Sequence, residues 1–62
     1  MRLDMIRIKA EQISIGDVLC FPNPASDFEV ICIYRRTDGR LVFNEDASWP
    51  VEPDAHVFKK VA

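Results

Sequence analysis

The sequence has no excess of basic charge. Its 62 residues carry 8 Lys and Arg against 10 Asp and Glu, a formal net charge of -2. A domain built mainly to hold nucleic acid is usually strongly basic, so that class loses its simplest support. No apolar run approaches the roughly 18 residues of a membrane span. The opening MRLDMIRIKA interleaves charged and apolar residues where a secretion signal would need an unbroken apolar core. The expectation is a cytoplasmic protein with no membrane partner. Opening on Met1 and closing on a strand-like segment, the chain reads as a complete small gene product. Two cysteines, Cys20 and Cys32, are too few for a disulfide scaffold. In a reducing compartment they read as small buried hydrophobes.

What is present is globular. Hydrophobic residues make up 48% of the chain and charged residues 29%, which argues against disorder. One domain over residues 1–62 is expected. A chain this short hides only about 60% of its unfolded surface on folding, so its stability is marginal.

Ile6 and Ile8 alternate with Arg7 and Lys9, the period-2 pattern of a half-buried strand over Leu3 to Lys9. Leu3 and Met5 have the other parity, so the strand either starts near Met5 or carries a bulge. Residues 10–13 suit one helical or 3₁₀ turn. Gly16 supplies a turn, and Asp17 is placed to hydrogen-bond local backbone. Val18 to Phe21 reads as a second strand, and the loop from Pro22 to Asp27 contains two prolines that no central ladder tolerates. Phe28 to Arg36 is rich in β-branched and aromatic residues and reads as one long strand, apolar on both parities at its middle. Asp38-Gly39 marks a hairpin turn into Leu41 to Phe43. Pro50 and Pro53 keep the segment from Asn44 to Ala55 irregular, and His56 to Val61 closes as a fifth strand. The predicted core is Ile6, Ile8, Ile13, Val18, Cys20, Val30, Cys32, Leu41, Phe43 and Val57, with Phe28 and Trp49 closing the ends.

The phrase Ile13-Ser14-Ile15-Gly16-Asp17-Val18-Leu19, the long central hairpin and the late Trp49 resemble SH3-like barrel proteins, and also small uncharacterised proteins of bacteriophages and prophages. The resemblance implies an all-β fold: a small five-stranded SH3-like barrel with one short helical or 3₁₀ turn. It brings no shared catalytic motif, and no motif here matches the aromatic groove in which SH3 domains hold proline-rich peptides. Fold alone does not give function.

Catalysis and metal binding find little footing. Cys20, Cys32 and His56 lack the paired spacing of structural zinc ligands. A nucleophile–base pair built from them has no local signature, and so small a domain has little room for a substrate cleft. No catalytic residue, metal or cofactor is assigned. Glu45, Asp46, Glu52 and Asp54 fall in a stretch without Lys or Arg from Leu41 through Phe58. That stretch is either a solvated acidic loop or a patch that steers a basic partner. Trp49 within it serves as an end plug for the core or as a contact residue, and its bond to Pro50 is a candidate for the cis form.

The expected function is therefore a non-catalytic protein-interaction module, with a phage or prophage accessory factor on a host protein as one form of it. The contact residues are Trp49, Glu45, Asp46, Glu52, Asp54, Tyr34 and Arg36. A homodimer would bury the apolar strip from Phe28 to Tyr34. The alternative is nucleic-acid binding through Arg35, Arg36 and Arg40 at the hairpin with Lys59 and Lys60 on the last strand. The first and last strands, if adjacent, would pool Arg7, Lys9, Lys59 and Lys60 near Tyr34 and Phe43.

Overall fold

The alternation at the start of the chain does form a strand, and it begins at Met5. In the computed structural model, which describes residues 2–61, Met5–Lys9 (β1) runs antiparallel to His56–Lys60 (β6). Ile8 stands opposite Val57 and Arg7 opposite Phe58. The ladder continues into the 3₁₀ turn Ala10–Gln12, whose Ala10 and Glu11 amides donate to the carbonyls of Ala55 and Pro53 at 2.8 and 2.9 Å. Gln12 Oε1 accepts from the Lys9 amide at 2.9 Å and closes the turn.

Val18–Cys20 (β2) pairs with β6 on one side and with Phe28–Glu29 (β3) on the other. The four-stranded sheet thus has the order β1-β6-β2-β3. Ile33–Arg35 (β4) and Leu41–Phe43 (β5) form a separate two-stranded sheet. The protein is mainly β, but its described residues form two sheets and no closed barrel. The 22–27 loop holds a second 3₁₀ turn, Pro24–Ser26, with Asn23 Oδ1 accepting from the Ala25 amide at 3.1 Å.

The predicted long strand from Phe28 to Arg36 is broken in two, and this is why there are six strands instead of five. At the break Val30 leaves β3. Its amide donates to Asp17 O at 2.8 Å, and its carbonyl accepts from the Gly16 amide at 2.8 Å. Gly16, at φ 98°, takes a backbone conformation that suits glycine. The next two amides, Ile31 and Cys32, donate to a side chain, Asn44 Oδ1, at 2.8 and 3.3 Å. Asn44 Nδ2 donates in turn to Glu29 O at 2.8 Å. One amide side chain therefore replaces ladder partners across the corner, and β3 and β4 enter different sheets. The apolar strip from Phe28 to Tyr34 is divided accordingly: Val30 is wholly buried while Ile31 and Tyr34 are exposed.

The core lies between the sheets. Leu19, Val30 and Phe43 are its largest fully buried side chains, joined by Ala10, Ile13, Leu41, Val51 and Val57. Six predicted core residues are buried: Ile13, Cys20, Val30, Leu41, Phe43 and Val57. Four others differ. Ile6 has the right parity but sits on the edge strand and remains 44% exposed. Ile8 is only partly buried, packed against the core. Val18 is half-buried because Leu19 takes the inward position on β2, and Cys32 is half-buried because it follows the corner. Val51 was not anticipated. It exchanges two backbone hydrogen bonds with Leu41, at 2.7 and 2.8 Å, as an isolated bridge.

The chain turns tightly from β4 into β5. The Gly39 amide donates to Arg36 O at 2.9 Å and the Arg36 amide to Arg40 O at 2.7 Å. Thr37 and Asp38 are thus the central turn residues, and Gly39 follows at φ 92°. This is a three-residue loop with a glycine bulge, not a two-residue Asp-Gly turn.

Arg2 fastens the N-terminal end to the far side of the sheet. It donates to both oxygens of Asp27 at 2.8 Å, to both of Asp4 at 2.9 and 3.0 Å, and to Phe21 O at 2.8 Å. The side chains of Arg2 and Asp27 are only 13% and 15% exposed. These hydrogen bonds hold the Asp27 carboxyl down, from an ordinary 3.8 to about 2. A depressed acid stabilises the fold fully above its unfolded pKa, and the contribution is lost as pH falls through the folded value. The urea midpoint, followed by Trp49 fluorescence, should therefore fall between about pH 5 and about pH 2.5. It should fall less in Arg2→Gln, which starts from a lower midpoint at the higher pH.

Candidate functional site

Side chains alternate across a strand, so the β4–β5 hairpin has two distinct faces. Ile33 and Phe43 are opposite each other and turn toward the core, whereas the Tyr34–Val42 pair turns away from it. Cys32 and Arg36 share the parity of Tyr34. The chain after β5 folds back beside this outer face. Asn44 and Glu45 adopt φ of 54° and 61°, and the Asp46 amide donates to Phe43 O at 3.1 Å. This left-handed turn is tolerable for asparagine but strained for glutamate.

Hairpin and turn together enclose a cleft of about 500 Å³. Cys32, Ile33, Tyr34 and Val42 give it an apolar floor and wall. Arg36 and Thr37 stand on one rim, with Glu45 and Ala47 on the other. Val42 is only 4% exposed although it faces away from the core cluster. Tyr34 is 58% exposed.

The cationic rim is organised around a single carboxylate. Asp38 accepts from the Arg40 amide at 3.0 Å and from the Arg40 guanidinium at 2.9 and 3.1 Å, and it lies 3.3 Å from Arg36. These contacts, the Arg40 backbone bond first, hold its carboxyl below the usual range. Arg35 donates to Gly39 O at 3.2 Å. Two guanidinium groups thus share one acid while Arg35 has no carboxylate beside it among the described residues, and the hairpin tip stays positive.

Of the seven residues expected to make contacts, the structure gathers Tyr34, Arg36 and Glu45 around this one cleft. The other four lie elsewhere. Trp49 is half-buried against Phe21 and Phe43, with ring centroids 5.8 and 6.1 Å away, and Phe21 stacks in turn on Phe28 at 5.9 Å. Asp46 Oδ1 accepts from the Ser48 amide at 3.1 Å and from the Ser48 hydroxyl, which makes it a local turn former. Glu52 and Asp54 are exposed on the turn before β6. The Trp49–Pro50 bond is trans, as are all described peptide bonds. Sequence reasoning missed Val42 and Cys32 as the cleft floor. The signal was there in their parity with Tyr34, read through a three-residue hairpin loop.

No protein-family model, curated protein or solved structure matches this chain.

The residues considered for other chemistry are also placed. Both cysteines are free. Burial, the largest cause, pushes the Cys20 thiol pKa up, which disfavours the thiolate a nucleophile needs. Cys20 and His56 line a smaller recess of about 230 Å³ with Trp49 and Phe58. His56 Nδ1 accepts from the Arg7 guanidinium at 3.1 Å. Among the described residues no three His, Cys, Asp or Glu side chains are grouped to hold a metal ion. No helix there is long and apolar enough to cross a membrane. The basic residues suggested for nucleic acid do not all share one surface: the β1–β6 register puts Arg7, Lys9 and Lys60 on one face, and the others lie elsewhere. Arg36 and Arg40 are tied to Asp38. Lys59 lies 3.5 Å from Asp17 on the face of β6 opposite to Lys60, and Phe43 is buried.

Proposed function

We propose that the chain is a small non-catalytic protein-interaction module whose binding site is the β4–β5 cleft. The observation that carries this reading is the convergence of Tyr34, Arg36 and Glu45 on an apolar-floored cleft of about 500 Å³. Such a site suits a short segment of a protein partner. An apolar side chain fills the floor over Val42, a basic group meets Glu45, and an acidic group meets the Arg36 rim. The strained backbone at Glu45 supports a functional role, because strain of this kind gathers at binding sites. An SH3-like module serving a bacteriophage or prophage on a host protein is the specific form of this reading that the sequence resemblance suggests.

Peptides selected against the wild-type domain from a random display library supply the test. NMR shifts on titration should map to Tyr34, Val42 and Glu45. Tyr34→Ala should weaken binding at least about tenfold, the scale of a contact hot spot, and leave the melting temperature unchanged because the ring is exposed. Selected peptides that shift other residues, or that bind Tyr34→Ala equally well, would remove the proposal.

A further inference from the structure

Pairing leaves the cations of this acidic domain unevenly distributed. Of its 8 Lys and Arg residues, Arg2, Arg36, Arg40 and Lys59 each have a carboxylate within 4.0 Å. Among the described residues no such partner stands beside Arg7, Lys9, Lys60 or Arg35. The first three share one surface. In the β1–β6 register Met5 stands opposite Lys60, Arg7 opposite Phe58 and Lys9 opposite His56. Cross-strand partners share a face, and this is the face turned away from Ile8 and Val57. Arg7, Lys9, His56 and Lys60 are exposed there, and Phe58, in the middle row, is 39% exposed. Phe58 stands outside the core cluster, and part of its ring is open to solvent between cations.

We propose that this outer face of β1 and β6 binds single-stranded nucleic acid. The phosphates contact Arg7, Lys9 and Lys60, and a base stacks on Phe58. Successive rows on one face of a strand are about 6.8 Å apart, a spacing that suits the phosphates of an extended single strand. Stacking tolerates any base, so the surface reads backbone and ring faces, not sequence. An acidic peptide would satisfy the cations but leave the ring without a planar partner. The two readings stand on different faces and fail separately: Tyr34→Ala tests the cleft and should not change nucleic-acid binding.

Fluorescence anisotropy with a labelled mixed-sequence single strand of roughly 12 nucleotides tests the proposal within the usual range of site sizes. Binding should appear at low salt and weaken with a log–log slope of about -2, as three contacts at about 0.7 each imply. Phe58→Ala should weaken it at least about fivefold. Phe58→Leu keeps apolar packing without the ring and should do the same, which separates stacking from folding. Arg7→Gln with Lys60→Gln should flatten the slope. No binding at low salt, or binding indifferent to Phe58→Leu, would overturn the proposal. So would displacement of the strand by polyglutamate at equal charge, which would assign the face to an acidic protein.

Discussion

Asn44→Ala should destabilise the domain by about 2.5–5.5 kcal/mol, close to the limit of what it can lose. At 62 residues the whole unfolding free energy is about 3–9 kcal/mol. The Asn44 side chain makes three hydrogen bonds to backbone at the corner, with Ile31, Cys32 and Glu29. Each contributes about 0.5–1.5 kcal/mol net. Alanine would also have to hold φ near 54°, which costs about 1 kcal/mol more. Two further variants separate these causes. Asn44→Gly removes the bonds and relieves the backbone, so it should be milder than Asn44→Ala. Asn44→Asp keeps the acceptor for Ile31 and Cys32 but has no donor for Glu29 O, so it should fall between wild type and Asn44→Gly. Urea unfolding measures all three, and an Asn44→Ala midpoint equal to that of wild type would show that the corner holds without its plug.

Phe43→Ala should cost about 3–5 kcal/mol, the usual range for deleting a buried phenyl ring. Phe43 is 1% exposed. It stands opposite Ile33 and touches Trp49, with ring centroids 6.1 Å apart. A loss of this size takes most of the domain's stability, so a large unfolded fraction at 25 °C is the expected outcome. Trp49 is the sole tryptophan and packs on the same ring, so its emission reports the change directly. Far-ultraviolet circular dichroism should follow it. A shifted emission with unchanged dichroism and unchanged melting would mean that the sheets close over the gap.

Local features of the fold could be read from sequence where a few adjacent residues decide the geometry. Ile6 and Ile8 against Arg7 and Lys9 announced β1, and Gly39 marked the hairpin. Asp17 did bond local backbone, its Oδ2 accepting from the Ser14 amide at 2.9 Å. Hidden features were those decided at a distance. The apolar run from Phe28 to Arg36 shows nothing of its own break, because the group that breaks it is a side chain twelve and more residues later. Val51 joins the core through a single bridge to Leu41, and one paired residue between prolines leaves no periodic trace. Ile6 shows the opposite error: its face was right, but sequence does not reveal that its strand is an edge. For the site, the chemistry of Tyr34, Arg36 and Glu45 was visible, while their meeting depended on the left-handed turn at residues 44 and 45. The acidic loop looked like one patch in sequence, yet the Asp46 carboxylate accepts from Ser48 and the Trp49 ring packs into the aromatic cluster.

The corner at residues 30–32 has a dynamic consequence. Ile31 is exposed to solvent, yet its amide hydrogen is bound by Asn44. It can exchange with deuterium only when that bond opens. Ile31 and Cys32 lead into β4 and Asn44 follows β5, whose ladder the Asn44 amide extends to Cys32 O at 3.0 Å. The exchange rates of the Ile31 and Cys32 amides therefore gauge how often the base of the hairpin opens at Asn44. A peptide seated in the hairpin's cleft that stiffens the turn at Asn44 should slow both amides from a distance.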